Sequence, residues 1–321
     1  MTVLTIGAVT TDRLMQVDRL AMPDEEVRVT AVESYDGGSA ANVAVGVSRL
    51  GVRAAYLGCV GNDSEGDHHR RILESEGVDI TRIRTSRTGA RTSTVMGFVE
   101  PGGARQLYFH GGASDELSPE DLTADTFDGI DRVHLCTLGP EFAERLIDLG
   151  RSSGRKMLIS FDPGCLGIAG ERLHRVRAIA PAVDMLFVNA LEFGLLYPHV
   201  APADVGRLSS SELPARMAIK LGQRGAYLYN RDQGVTYHPA FAVAAVDSTG
   251  AGDAFAAGCL AGAAQAYGEA RLGPFANAVA ALVTQQFGCR TGLPTMTRVT
   301  SFLQTQSEPT TSGASGRSAQ P

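Results

Sequence analysis

The sequence predicts an α/β protein, with a central, mostly parallel sheet flanked by helices and a smaller β-sheet beside it. Two observations point there. Short apolar runs alternate with helical stretches along most of the 321 residues, and strands buried on both faces read as continuous apolar runs. Two other segments, about 13–36 and 91–112, alternate polar and apolar residues, as half-exposed strands outside the main core do.

Taken in order, "VLTIGAV" at 3–9 is a buried strand ending in turn residues. Val27, Val29 and Ala31 then point one way and Arg28 and Thr30 the other. Residues 41–50 carry Val43, Val47 and Leu50 at helical spacing, with Gly51 as a stop. "AAYLGCVG" is strand-like, and 64–76 is a charged helix ending at Gly77. "STVMGFV" and "RQLYFH" flank "EPGGA", whose Pro and Gly-Gly mark a hairpin turn. "RVHLCTL", "KMLISFD", "MLFVNA" and "RMAIKLG" supply four more strands, and 275–287 a late amphipathic helix. Residues 304–321 are almost free of apolar side chains and read as a disordered tail, leaving one domain over 1–303.

Composition excludes several function classes. A net charge of −6 gives no basic field for a nucleic acid backbone, so an anionic ligand must be gripped by amides, single cations or a metal. The cysteines (Cys59, Cys136, Cys165, Cys259 and Cys289) are scattered without a C-x-x-C pair and read as reduced and structural. The N-terminus lacks the basic region of a signal peptide and no apolar run spans a bilayer, so a cytoplasmic protein is expected. There is no G-x-x-x-x-G-K-[ST] loop, and no G-x-G-x-x-G follows the first strand. "GGSAA" ends in Ala where a nucleophile elbow needs Gly.

What remains is "DSTGAGDAFAAG" at 247–258. Gly250, Ala251 and Gly252 present amides with little side-chain cover, just ahead of a small-residue helix. A helix start has unpaired N–H donors and the positive end of the dipole, so an anion can sit there. Asp253 in that first turn can accept a proton from an attacking hydroxyl. The same spacing also fits a plainer role, in which Asp253 only favours the helix start.

The pattern D-x-T-G-A-G-D-x-F-x-x-G, filled by Asp247, Thr249, Gly250, Ala251, Gly252, Asp253, Phe255 and Gly258, resembles the C-terminal signature of the ribokinase (PfkB-type) carbohydrate kinases. "DGGSAANVAVGVSRLG" at 36–51 resembles the N-terminal signature of the same family. The resemblance spans about 3–294 and implies a ribokinase-like fold with the small sheet as a lid over a sugar. It also implies an ATP- and Mg2+-dependent phosphotransferase that is a homodimer through the lid.

Residue by residue, it puts Asp253 at the place of the catalytic base and Gly250, Ala251 and Gly252 at the anion hole. Asp12, Gly38 and Asn42 take the positions that bind sugar hydroxyls. Asn189 and Glu192, in "NALEFG", match the N-x-x-E element near the magnesium-bound phosphates, with Glu192 acting through water. Gly222 and Gly225 fall in the strand-turn-strand beside ATP, Asn277 in the helix bordering adenine, and Lys220 within reach of a phosphate.

The chain also departs from the pattern. Ser39 replaces the lysine of many phosphosugar kinases, which disfavours an already phosphorylated sugar. "FDPGCLG" lacks the Asn and Arg found just after it in many fructokinases and ketodeoxygluconate kinases. Gly292 stands where some members offer a serine to K+, so K+ stays open as a cofactor but without support from side chains. A free sugar is the expected acceptor of the phosphoryl group, at a hydroxymethyl group. A nucleoside is the rival, to be decided by whether Tyr108 and Phe109 offer a base an aromatic face. A catalytically silent sugar- or nucleotide-binding regulator is the third reading.

Overall fold

The apolar runs form strands in the computed structural model, which describes residues 1–101, 104–153 and 157–307. In chain order they are β1 (Thr2–Ile6), β2 (Thr10–Val17), β3 (Val29–Gly37), β4 (Arg53–Leu57), β5 (Cys59–Val60), β6 (Val78–Asp79), β7 (Arg84–Thr85) and β8 (Thr94–Val99). The remainder are β9 (Arg105–His110), β10 (Arg132–Cys136), β11 (Leu158–Asp162), β12 (Met185–Asn189), β13 (Arg216–Lys220), β14 (Ala226–Asn230) and β15 (Gly234–His238).

Nine strands make one sheet in the order β15-β14-β13-β12-β11-β10-β1-β4-β6. It is parallel from β6 to β13 and antiparallel only at β14 and β15. Successive strand residues point to opposite faces, which gives two cores. Val3, Tyr56 and Phe187 join one, with the helices Ser39–Arg49, Ala251–Ala264 and Glu269–Val283. Leu4, Ile6 and Phe161 join the other, with Pro140–Ser153 and Arg172–Ile179.

The two alternating segments form a separate small sheet in the order β3-β2-β8-β9. The tip of the expected hairpin turn, Gly102 and Gly103, lies outside the described residues. Register decides which side chains share a face. Asp12 pairs with Tyr35 and Val95, and Val95 with Phe109, so all four project from one side. Met15 pairs with Val32 and Phe98, and Met96 with Tyr108, which places these five on the other side.

Two boundaries differ from expectation. The late helix runs from Glu269 to Val283, starting six residues before 275 and ending four before 287. Burial of Leu272 and Gly273 carries it through Pro274, where one helical hydrogen bond is lost. The first residues of the stretch expected as tail are helical instead, because the helix Met296–Ser307 continues past 304. Val299 is fully buried and Phe302 and Leu303 pack against the core. The rest of the expected tail, 308–321, lies outside the described residues. No helix among the described residues is long and apolar enough to cross a membrane.

Candidate active site

Three adjacent parallel strands each deliver one polar residue at their C-terminal ends, where ligands of open α/β sheets bind. Asp162 ends β11, Asn189 ends β12 and Lys220 ends β13, each after an apolar run that fixes its strand in the core. Lys220 Nζ lies 2.6 Å from Asp162 Oδ2. Burial works against the ammonium, but Asp162, Glu192 and Asp253 around it outweigh this and raise its pKa above the usual range.

The helix Ala251–Ala264 starts beside this lysine. Gly250 is its N-cap with φ 79°, a left-handed conformation that suits glycine. No side chain among the described residues caps the helix. The Ala251 amide makes a turn bond of 3.3 Å to the Ser248 carbonyl. A Cβ on Gly252 would lie 3.6 Å from Lys220 Nζ, so the helix start and the cation are neighbours. The turn itself is braced by Asp247, whose Oδ1 accepts from the Thr249 amide and hydroxyl at 2.9 and 2.6 Å and whose Oδ2 accepts from the Gly288 amide at 3.0 Å.

Asp253 follows in the first turn. Its Oδ2 accepts from Asn42 Nδ2 at 2.8 Å. Burial raises its pKa above the usual carboxylate value, against the donors Asn42 and Ser39 and the charge of Lys220. Ser39 is thus a neutral donor to Asp253. Asn42 is buried, and its Oδ1 accepts from Arg290 Nε at 2.8 Å. Asp12 joins the same group through charge on Asp253, with the Thr10 hydroxyl at 2.5 Å and the Cys289 thiol at 3.8 Å. Burial pushes its pKa up to about 6. Gly38 is held by the chain itself, since a Cβ there would stand 2.5 Å from the Ala8 carbonyl.

A cavity of about 530 Å³ opens on the other side of the helix start, lined by Lys220, Gly222, Gly225, Phe241, Gly252 and Asn277, among others. The structure gives two of these residues further partners. Asn277 Nδ2 donates to the His238 and Pro239 carbonyls at 2.9 and 3.0 Å, so it also anchors the loop after β15. A Cβ on Gly225 would stand 2.1 Å from the His238 carbonyl, so its glycine is explained by that loop. Gly222 faces open space.

Asn189 and Glu192 cap the helix Ala190–Leu196 reciprocally, with bonds of 2.8 and 2.9 Å. That accounts for one oxygen of Glu192, and the other lies 3.7 Å from Cys165 Sγ. Burial and the nearby Asp162 raise the Glu192 pKa. A second cation would relieve that crowding, and carboxylate oxygens suit Mg2+, so this donor set fits the ion. Gly292 packs on the Val283 carbonyl, 2.4 Å from where its Cβ would be.

Three contributors escaped the sequence reading. Arg290 is buried, and donates to Asn42 and, through Nη2, to the Gly37 carbonyl. Its one signal was a charge inside the glycine- and apolar-rich "FGCRTGLP". Asp162 stands in plain view in "FDPGCLG", but nothing local in that stretch signals its pairing with Lys220. Arg105 of β9 donates to the Thr249 hydroxyl at 2.8 Å, joining the small sheet to the turn.

The whole of this architecture has known counterparts. Residues 2–296 match the model of the pfkB family carbohydrate kinases. An ATP-dependent ribose-1-phosphate kinase of Halopiger xanaduensis is 35% identical, over 94% of this chain and 97% of that protein. A nucleoside kinase of Methanothermobacter thermautotrophicus is 31% identical, over 91% of this chain and 92% of that protein. Among solved structures, the Methanocaldococcus jannaschii nucleoside kinase, an archaeal member of the ribokinase family, superposes with a TM-score of 0.81 at 26% identity, over 95% of this chain and 98% of that one. A chain designated ribokinase II from E. coli, solved with ATP and Mg2+, gives 0.81 at 25% identity, over 95% and 99%.

Proposed function

Starting from a chain that belongs to the pfkB family of carbohydrate kinases, we propose that it transfers the γ-phosphoryl group of ATP to the primary hydroxyl of a ribose unit substituted at C1. The observation that carries this reading is the convergence of Asp253, Asn42 and Asp12 at an uncapped helix start beside Lys220.

In this reading Asp253 takes the proton of the attacking hydroxyl. Its raised pKa brings it nearer the operating pH, as suits a general base. Asn42 orients it. The amides of Gly250, Ala251 and Gly252 face the charge that spreads over the transferring group, where fixed donors lower the barrier most. Lys220 holds a phosphate oxygen, exchanging part of its contact with Asp162. Asn277, Gly222 and Gly225 border the nucleotide in the 530 Å³ cavity. Glu192, through water, and Asp162 would hold Mg2+, which would screen the charge of the phosphates. Asp12, Gly38 and Asn42 bind the sugar hydroxyls.

Two observations favour a C1-substituted ribose over the free sugar expected above. The relatives at 35% and 31% identity are named for ribose 1-phosphate and for nucleosides. Phe109 and Tyr35 project from the Asp12 face of the small sheet and offer a base an aromatic surface, while Tyr108 faces away. A nucleoside is therefore the first reading. Ribose 1-phosphate is the second, because Arg105 pairs with Val99 on that same face and reaches the catalytic turn. The opposite face exposes Val32, Met96 and Tyr108, and we read it as the contact of a cytoplasmic homodimer.

The test is ADP release with ATP and Mg2+ across nucleosides, ribose 1-phosphate, free ribose and fructose. Preferred turnover of a C1-substituted ribose is expected. Best turnover of a free sugar would overturn the C1 assignment. Nucleotide binding without turnover of any acceptor would favour the silent regulator.

A further inference from the structure

A second group of ligand-type side chains lies on the far side of the small sheet from Asp12. Asp36, near the end of β3, pairs with Thr11 of β2, one position out of phase with the Asp12–Tyr35 pair. Both therefore project from the opposite face. The helix Ser64–Ser75 of the main body brings His68 and His69 to the same place. One ligand atom from each of Asp36, His68 and His69 lies within 4.8 Å of the other two. Asp36 Oδ1 is 2.9 Å from His68 Nε2 and 3.5 Å from His69 Nδ1.

His69 is the residue that asks for a ligand. Its side chain is fully buried, and its Nε2 lies 3.1 Å from the Thr11 hydroxyl. Its Nδ1 is directed toward Asp36 yet has no hydrogen-bond partner among the described residues. Buried polar atoms without a partner are few in native proteins. With Nε2 donating to Thr11, the Nδ1 lone pair would face a carboxylate oxygen, an arrangement that a cation between them makes favourable.

We propose that Asp36, His68 and His69 bind a divalent transition-metal ion of the zinc, cobalt or nickel class, which ties the base of the small sheet to the helix Ser64–Ser75. Imidazole and carboxylate ligands suit such ions, and three protein ligands leave a position open for water. With metal–ligand bonds of about 2.0–2.1 Å, tetrahedral ligand atoms stand about 3.3 Å apart. The observed separations of 2.9 and 3.5 Å lie on either side of that value. His68 is half-exposed, so its ring can adjust by the few tenths of an ångström required. Thr11 on the far nitrogen of His69 is the outer contact that sets the tautomer of a metal-bound histidine. The charge of Arg290 acts on Asp36 and His69 and opposes the ion, but two of its nitrogens are committed to Asn42 and the Gly37 carbonyl.

Asp36 immediately precedes Gly37 and Gly38, so the ion would brace the chain where the small sheet joins the main body. Arg13 and Glu65 already link the same two elements with an ion pair of 2.5 Å. The proposal does not depend on which acceptor the enzyme phosphorylates.

The test uses the full chain, freed of metal by dialysis against a chelator and titrated with Zn2+ in competition with a chromophoric chelator. One Zn2+ per chain is expected, and Co2+ should give the absorption bands of nitrogen and oxygen ligation. His68→Ala and Asp36→Asn should each weaken Zn2+ binding by at least about 10- to 100-fold, the loss caused by removal of even an outer contact of a ligand. His174→Ala, on the helix Arg172–Ile179, should bind like the wild type. Zn2+ should raise the melting temperature of the wild type by mass action and leave that of His68→Ala in place. His69→Ala opens a buried cavity, so the half-exposed His68 is the primary variant, with circular dichroism confirming its fold. No Zn2+ binding by the wild type would overturn the proposal. So would equal affinity in His68→Ala and Asp36→Asn, or cobalt bands of thiolate ligation.

Discussion

Replacing Asp12 by Asn should stabilise the protein above neutral pH while impairing it as an enzyme. Burial pushes the Asp12 pKa from 3.8 to about 6, against the Thr10 hydroxyl and the charge of Arg290. The folded state therefore prefers the protonated carboxyl. Such a group costs nothing below its unfolded pKa, and its cost grows as pH rises until it is complete above the folded pKa. A difference of about two pH units corresponds to about 3 kcal/mol at pH 8. At pH 5 the same linkage gives about half of that. Asn resembles the protonated form, keeps an acceptor for Thr10 and carries no charge. Asp12→Asn should thus gain up to about 3 kcal/mol at pH 8 and about half at pH 5, read by urea unfolding at both pH values. In the reading above the variant also loses a charged partner for a sugar hydroxyl, worth about 1.5–3 kcal/mol, so kcat/KM should fall by about 10- to 150-fold. A stability change equal at the two pH values, or a loss at pH 8, would refute the reasoning.

Two further predictions rest on single contacts. Asn42→Leu removes the 2.8 Å donor to Asp253. A hydrogen bond to a charged group is worth about 1.5–3 kcal/mol, so the acid limb of kcat against pH should move up by about one to two pH units. An unmoved limb would separate that limb from Asp253. Gly225→Ala places a Cβ 2.1 Å from the His238 carbonyl at φ +97°. The KM for ATP should rise with little change in kcat at saturating ATP, and thermal stability should fall by about 1–3 kcal/mol; an unchanged KM would dissociate this loop from the nucleotide.

Much of the fold was legible because buried parallel strands write themselves as apolar runs. β10 to β13 were each visible in this way, as was the polar residue ending β11, β12 and β13. Helix ends were less legible. Pro274 hid the true start of its helix, and the lack of apolar residues after Leu303 hid that the last helix continues to Ser307, because tertiary burial of Leu272, Val299 and Phe302 overrode local signals in both. The site was half legible. Glycine turns and the carboxylate beside them are local, so Gly250 and Asp253 stood out. Partnerships are not local: Asn42 meets Arg290 across 248 residues, and Lys220 meets Asp162 across 58. Spacing alone cannot reveal those pairs. The Asn189–Glu192 pair shows the reverse case, a local pattern whose capping role is complete within four residues.

Single-turnover transfer from γ-labelled ATP by Asp253→Asn tells whether Asp253 is the base of phosphoryl transfer. Removing a positioned general base should slow the chemical step by about 10²- to 10⁴-fold, with nucleotide and acceptor still bound at near wild-type affinity. A variant that transfers within about 10-fold of the wild-type rate would contradict the account, since a base supplies more than that.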